Sequence, residues 1–279
     1  MGESLTVTDR HIDDYFNPDQ TEIYDLNLQV SVNSVAYSLY DTEKERYIGV
    51  ESFHDPLARV LDEVFWLKKP FHSVTCMIEN NKFSLIPSLL FEPGHEKDFL
   101  DFSVERESDE VILSDHIHHM DIRNLYSVNG SLLNLIRTTF PSPKICHITT
   151  ALIRSIGLHY SDRSGETQLF VHIRKDAVDI ILFEKRQLFY CNSFLIRAPE
   201  DLVYYVMFVM EQLGLNPEET GVVLMGAIDR KSAFTDLLSM YICRVDFARH
   251  SEAFKYSYAL EEIPGHHYYP LLNPGPCES

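Results

Sequence analysis

A chain of 279 residues with 45% hydrophobic and 24% charged side chains has the composition of a folded, soluble protein long enough for two domains, which excludes a disordered tail or a membrane bundle. Its 42 acidic residues against 24 basic ones give a formal charge of −18, which excludes a nonspecific nucleic-acid binder, because phosphate binding needs a basic surface; an acidic membrane surface would also repel the chain. The charge reads as a solubility device, with a basic protein partner as the sharper alternative.

Residues 1–25 form a polar, acidic lead-in with no basic segment followed by an apolar one, so no secretory leader is expected, and no apolar run reaches membrane-spanning length. Leu26, Leu28, Val30 and Val32 then alternate with polar residues, the period-two mark of a strand. Asn33 and Ser34 supply a turn, Val35–Tyr40 a second strand, and the charged turn Asp41–Arg46 leads to a third strand, Tyr47–Phe53. Pro56 opens a helix with a stripe of Leu57, Val60, Leu61, Val64 and Phe65; Asp55 stands where an N-cap would be, and Pro70 ends the helix. A fourth strand is expected at Ser73–Ile78. Downstream, helices at Leu132–Phe140 and Thr149–Tyr160 flank a short strand at Lys144–Ile148.

The same order returns. Leu169, Val171 and Ile173 mark a strand, followed by strands at Ala177–Phe183 and Gln187–Phe194 with Lys185 and Arg186 in the turn. Pro199 starts a helix with a buried stripe of Leu202, Val206, Val209, Met210 and Leu213; Glu200 and Asp201 favour its N-terminal end and Gly214 closes it, before a strand at Val222–Met225. Leu28 and Val171, and likewise Pro56 and Pro199, stand 143 positions apart, the mark of a duplicated domain rather than a solenoid. The turn-rich stretch Ser161–Thr167 is the expected boundary, so the organisation reads as a lead-in over 1–25, a first lobe over 26–163 and a second over 164–279 that ends in a Pro-rich tail from Pro264.

Three meandering strands, a crossover helix, a strand, a helix and a last strand are the ribonuclease-H-like order, and two such halves in tandem resemble the actin-like ATPase superfamily. More narrowly, the strands Leu28–Leu39, the run Val171–Phe194 and the ending His266-His267-Tyr268-Tyr269-Pro270-Leu271-Leu272 look like an uncharacterised bacterial family of unknown function with that duplicated fold. The resemblance spans Leu26 to Leu272 and implies an α/β chain of two ribonuclease-H-like lobes. The relatives of known role, the type IV pilus assembly and cell-division actin-like proteins, imply scaffolding through protein contacts.

Actin-like ATPases carry Asp-x-Gly-x-Thr at the first hairpin of each half, where backbone amides approach phosphate. Here those hairpins read Ser31-Val32-Asn33-Ser34 and Ile173-Arg174-Lys175-Asp176, without glycine. Of the paired glycines that contact adenosine in the family, Gly226 alone remains, in Leu224-Met225-Gly226-Ala227; it is the one cofactor-binding candidate, with simple turn chemistry as the alternative. ATP with magnesium is therefore not supported as a cofactor. A two-metal nuclease would need an acid on a first strand, and neither half has one; Asp179 on a second strand reads as a solvated or hydrogen-bonded acid.

The densest set of potential metal ligands is Asp115-His116-Ile117-His118-His119-Met120-Asp121. On a strand, His116 and His118 would share a face and could approach one ion, or merely share a solvent face. His72, His147, His159 and His172 stand singly near apolar runs as structural histidines. Cys76, Cys146, Cys191, Cys243 and Cys277 are scattered singly, with no disulfide framework or zinc spacing, as expected of a reducing cytoplasm. Tyrosines cluster at Tyr204–Tyr205, Tyr256 with Tyr258, and Tyr268–Tyr269; His267, Tyr268 and Tyr269 are the candidate protein-contact surface, with ordinary half-buried packing as the alternative for each ring. These features, with the bacterial setting and scaffolding role that the resemblance implies, favour a noncatalytic cytoplasmic adaptor that binds a protein or peptide. The alternative is a divergent actin-like nucleotide-binding ATPase or kinase-type phosphotransferase, with a metal-dependent nuclease third.

Overall fold

A computed structural model describes residues 5–160 and 167–274 of the chain. It divides into two compact units. The first holds the residues up to Leu152 together with Glu252–Ile263 and the segment from Pro270; the second holds Ile153–Ser251 and Pro264–Tyr269. The division thus falls inside a helix, and the C-terminal part of the chain alternates between the units. The turn-rich Ser161–Thr167 lies outside the described residues except for Thr167, as do residues 275–279 of the Pro-rich tail.

In chain order the first unit contains β1 (Val7–Ile12), β2 (Tyr24–Val30), β3 (Val35–Asp41), β4 (Arg46–Phe53), α1 (Leu57–Glu63), β5 (Ser73–Ile78), β6 (Phe83–Pro87), α2 (Glu96–Asp101), β7 (Glu110–Ile117), β8 (Ile122–Asn129), α3 (Gly130–Thr139) and β9 (Lys144–His147), and then α4 (Ile148–His159) carries the chain into the second unit. The main sheet runs β1-β4-β3-β2-β5-β9. β2, β3 and β4 form an antiparallel meander, and β5 and β9 add in parallel beside β2, so their connections must cross over the sheet. The alternating runs at Leu26–Tyr40 thus form the expected hairpin, while Val7–Ile12, read as part of the lead-in, pairs antiparallel with β4.

The second unit repeats that order with β10 (Thr167–Ile173), β11 (Ala177–Glu184), β12 (Gln187–Leu195), α5 (Pro199–Gln212), β13 (Gly221–Gly226), α6 (Ala233–Ser239) and β14 (Val245–Phe247). Its sheet runs β12-β11-β10-β13-β14, antiparallel through the meander and parallel beyond it. The chain returns to the first unit as β15 (Lys255–Tyr256) and α7 (Tyr258–Glu261) before α8 (Tyr269–Leu272). β15 pairs in parallel with β4, Tyr256 stacks on Tyr47 at 5.7 Å, and the Ser38 hydroxyl donates to the Leu271 carbonyl at 2.8 Å.

α5 shows how the sequence sets an element. Leu202, Val206, Val209 and Met210, at spacings of three and four, pack against Leu169, Val171, Val178, Ile180, Val222 and Leu224 from the sheet. Each such buried side chain contributes roughly 1.5–3 kcal/mol. The Asp201 carboxylate accepts the backbone N–H groups of Arg197 and Ala198, at 2.8 and 3.1 Å, and so satisfies the helix entry. At the exit, Gly214 takes φ 63° and the Leu215 N–H reaches back to the Met210 carbonyl at 2.8 Å.

The entry of α1 differs from expectation. Pro56 occupies the N-cap position, and Asp55 instead accepts from the Thr6 N–H and from Arg59, both at 2.7 Å. Phe65 leaves the buried stripe and is exposed, because the helix gives way to a 3-10 turn at Phe65–Lys68. Between β5 and α3 stands a three-stranded antiparallel sheet, β6-β8-β7, beyond the elements expected from the sequence; with α2 it closes a small core of Ile86, Leu100 and Leu125. Among the described residues no helix is long and apolar enough to cross a membrane.

Candidate functional site

In an open sheet with parallel strands, ligands bind beyond the carboxyl ends of those strands, where connections leave in opposite directions. In the second unit that place is defined by Ile173 at the end of β10, its partner Gly226 at the end of β13, and the hairpin from Arg174 to Ala177.

Gly226 has φ +95°, and a Cβ there would stand 2.1 Å from the Ile173 carbonyl oxygen, so glycine is required by the close approach of the two strands themselves. The backbone groups around it are engaged by the chain. The Gly226 N–H donates to the His266 carbonyl at 2.7 Å, and the Ala227 N–H to the Ile173 carbonyl at 2.8 Å. The Ile228 carbonyl accepts from the Nε2 atoms of His266 and His267, at 2.8 and 3.1 Å. His266 is fully buried between the rings of Phe247 and His267, at 4.7 and 4.6 Å. Burial, joined by the charges of Arg230 and by His267, pushes its pKa down to about 4, against the weaker pull of the Ile228 carbonyl.

The hairpins are equally occupied. In the first unit the Ser31 N–H donates to the Ser34 carbonyl and the Ser34 N–H to the Ser31 hydroxyl, both at 3.0 Å. In the second the Arg174 N–H donates to the Ala177 carbonyl at 2.9 Å, which fixes a register that sets His172 opposite Asp179.

Asp179, like His266, is fully buried, with 0% exposure. The Arg174 guanidinium grips its carboxylate with two donors, Nε at 3.1 Å and Nη2 at 2.8 Å; His172 Nδ1 donates at 2.9 Å and the Ser193 hydroxyl makes a further short bond. Burial works against ionisation, and Arg174 with His172 outweighs it, holding the Asp179 carboxyl well below the usual carboxylate range. Burial and the same carboxylate push the neighbouring Cys191 thiol well up. With its oxygens committed to three side chains, Asp179 serves as the anchor of a buried ion-pair network rather than as a base or a metal ligand.

His172 and Asp179 are the structural histidine and hydrogen-bonded acid expected from the sequence; their mutual contact and the part played by Arg174 emerge only in the fold. The signal was present in the period-two spacing of His172 and Arg174 and in the tight turn that folds Asp179 back across them.

The histidine run is split by a change of backbone. His116 lies on β7, but His118 opens a 3-10 turn that ends in left-handed Asp121, so the two do not share a strand face. Their rings still meet at 3.8 Å between centroids, and His116 Nε2 lies 3.2 Å from the Ser88 hydroxyl. Among the described residues there is no group of three or more His, Cys, Asp or Glu side chains placed to hold a metal ion. Of the C-terminal candidates, His267 and Tyr268 are half-buried, while Tyr269 is 1% exposed and lies against His159, its hydroxyl 3.2 Å from Nδ1. A pocket of about 470 Å³ in the first unit, lined by Leu113, Ser114, Asp115, Tyr126, Arg137 and Ile145, has its carboxylate taken by the Tyr126 hydroxyl at 3.1 Å and the His147 N–H at 2.8 Å.

Residues 13–245 match the family model described as Protein of unknown function (DUF3822). Among solved structures, the chain is similar to a Bacteroides thetaiotaomicron protein with actin-like ATPase fold and unknown function, at 22% identity and a TM-score of 0.77 over 83% of this chain and 93% of that one. It is also similar to the PilM-PilN type IV pilus biogenesis complex, at 10% identity and a TM-score of 0.54 over 90% of this chain and 94% of that one. Both likenesses show the actin-like ATPase fold, in agreement with the repeated strand order of the two units. No curated protein matches the chain.

Proposed function

The chain belongs to the DUF3822 family of unknown function, and from that premise we propose that it is a noncatalytic actin-like adaptor or scaffold that acts by binding a protein or peptide. One observation carries this reading. The amides and carbonyls at the ends of β10 and β13, where the fold would offer donors to a nucleotide, are bonded to one another and to His266 and His267. A nucleotide would have to displace buried hydrogen bonds of the chain itself, each costing about 1–3 kcal/mol to leave unmade.

The acidic surface and the glycine-free hairpins support the same reading, which puts the protein in a bacterial cytoplasm away from nucleic acid. The PilM neighbour is itself found in a complex with PilN, so this fold serves there as one member of a protein assembly, and the transfer is by analogy of fold. Calorimetric titration with ATP and magnesium separates this reading from a divergent ATPase or phosphotransferase. No saturable heat and no phosphate release are expected; micromolar binding with turnover would contradict it.

A further inference from the structure

We propose that the outer edge of β12 takes up an extended segment of a partner protein, apolar at alternate positions and acidic at its ends, by adding it as a further strand to the sheet of the second unit. This rests on the adaptor reading and gives it a place and a chemistry.

β12 pairs with β11 alone among the described residues and is the terminal strand of its sheet. It is nine residues long, Gln187-Leu188-Phe189-Tyr190-Cys191-Asn192-Ser193-Phe194-Leu195, and carries no charge and no proline. Exposed edges are ordinarily blunted by lysine, proline or brevity, and here the only such device is a bulge opposite Leu182 and Phe183. The Ile196 N–H donates to the Asp176 carbonyl at 2.9 Å and continues the β11 ladder. By alternation, Cys191, Ser193 and Leu195 direct their N–H and C=O groups outward. The Ser193 N–H is covered by the side chain of its own neighbour, Asn192 Oδ1, at 2.9 Å.

Beside this edge lies an apolar ledge. Phe194 stacks on Tyr205 at 4.5 Å, Tyr205 meets Tyr204 at 5.3 Å, and Tyr204 stacks on Phe208 at 6.0 Å. On this ledge Tyr204 is 61% and Phe208 39% exposed, while Leu195, 63% exposed, stands by alternation on the other face of the sheet. A bound strand would bond the outward backbone groups of β12 and lay alternate side chains on the ledge.

Charge decides the occupant. Lys185 precedes the strand and Arg197 follows it, both exposed. If two copies paired antiparallel about Cys191, Lys185 of each would face Arg197 of the other, and two chains of net charge −18 would be brought together. A foreign segment with acidic ends avoids the first obstacle, because it sets opposite charges against Lys185 and Arg197.

The test uses the whole chain and a dye-labelled synthetic peptide of alternating valine and threonine flanked by glutamates, followed by fluorescence anisotropy. Saturable binding is expected, weakened about tenfold when lysines replace the glutamates or in the Lys185→Glu/Arg197→Glu variant, and lost when alternate peptide nitrogens are methylated. Asn192→Ala, which uncovers the Ser193 N–H, is expected to tighten it. No binding, or binding indifferent to methylation and to the charge changes, would overturn the proposal while leaving the adaptor reading to the nucleotide titration. Sedimentation that shows a dimer abolished by Leu195→Asp would assign the edge to a second copy and overturn it as well.

Discussion

Asp179 and His266 are both buried polar groups, and each is held by a different physical device. Asp179 keeps its charge because Arg174, 7% exposed, supplies a matching one at 2.8 Å. Removing one partner of a buried pair strands the other, so Asp179→Ala is expected to lose about 3–5 kcal/mol in urea unfolding, and Arg174→Met/Asp179→Leu to recover most of that loss. An equal loss in the single and double variants would show that the network holds the hairpin by something other than charge matching. His266 stays neutral because its Nδ1 is buried with no partner among the described residues, while Nε2 donates to Ile228. Its folded pKa of about 4 lies below the unfolded value of 6.5, so the unfolded chain binds the extra proton. The stability His266 provides is therefore complete above pH 6.5 and lost as pH falls towards 4, by on the order of 2 kcal/mol, with His159, also lowered by burial, acting in the same direction. Scanning calorimetry across that window should show the melting temperature falling with pH in the wild type and a shallower slope in His266→Gln; a flat wild-type profile would contradict the assignment. At this scale the sequence revealed that Gly226 was special but not why. The 2.1 Å approach to Ile173 is a tertiary fact, as is the burial of Tyr269, whose polar tip and aromatic neighbours suit both packing and a contact surface.

Elements with strong local signals were legible. β2 to β4, β5, β10 to β13 and α5 follow from period-two and period-3.6 patterns bounded by turns, because one face of each must be buried whatever its neighbours are. Lys185 and Arg186 make the tight turn between β11 and β12 with φ 48° and 71°, without a glycine. α3 was legible in its apolar stripe but not in its start. Asn129 caps it by accepting from the Ser131 and Leu132 N–H groups, at 3.0 and 3.1 Å. Asn129→Ala is expected to cost about 1 kcal/mol in chemical denaturation, and Asn129→Asp to cost far less; equal losses would point to the Asn129–Asp109 contact rather than the cap. What the patterns missed were elements that depend on distant partners. β1 has no buried residue and becomes a strand by pairing with β4, and β6 to β8 bury only a small core under α2.

On the scale of the whole chain, a repeated strand order and a spacing of 143 residues sufficed to read a duplicated domain, resemblance added its actin-like character, and the strand pairing of both units and the similar solved structures agree with both. The passage of residues 252–263 back to the first unit was not legible, because β15 is only two residues long and its contacts are aromatic packing on Tyr40 and Tyr47. The site is another matter: the sequence shows which phosphate-binding residues are missing, and only the folded chain shows what its own backbone does in their place. The most direct measurement is a backbone-amide NMR titration with ATP and magnesium, following Ser31–Ser34, Arg174–Ala177, Gly226 and Ala227. These amides are expected neither to shift nor to change their exchange protection at millimolar nucleotide. Saturable shifts at Gly226, Ala227 and both hairpins, at micromolar nucleotide, would contradict it.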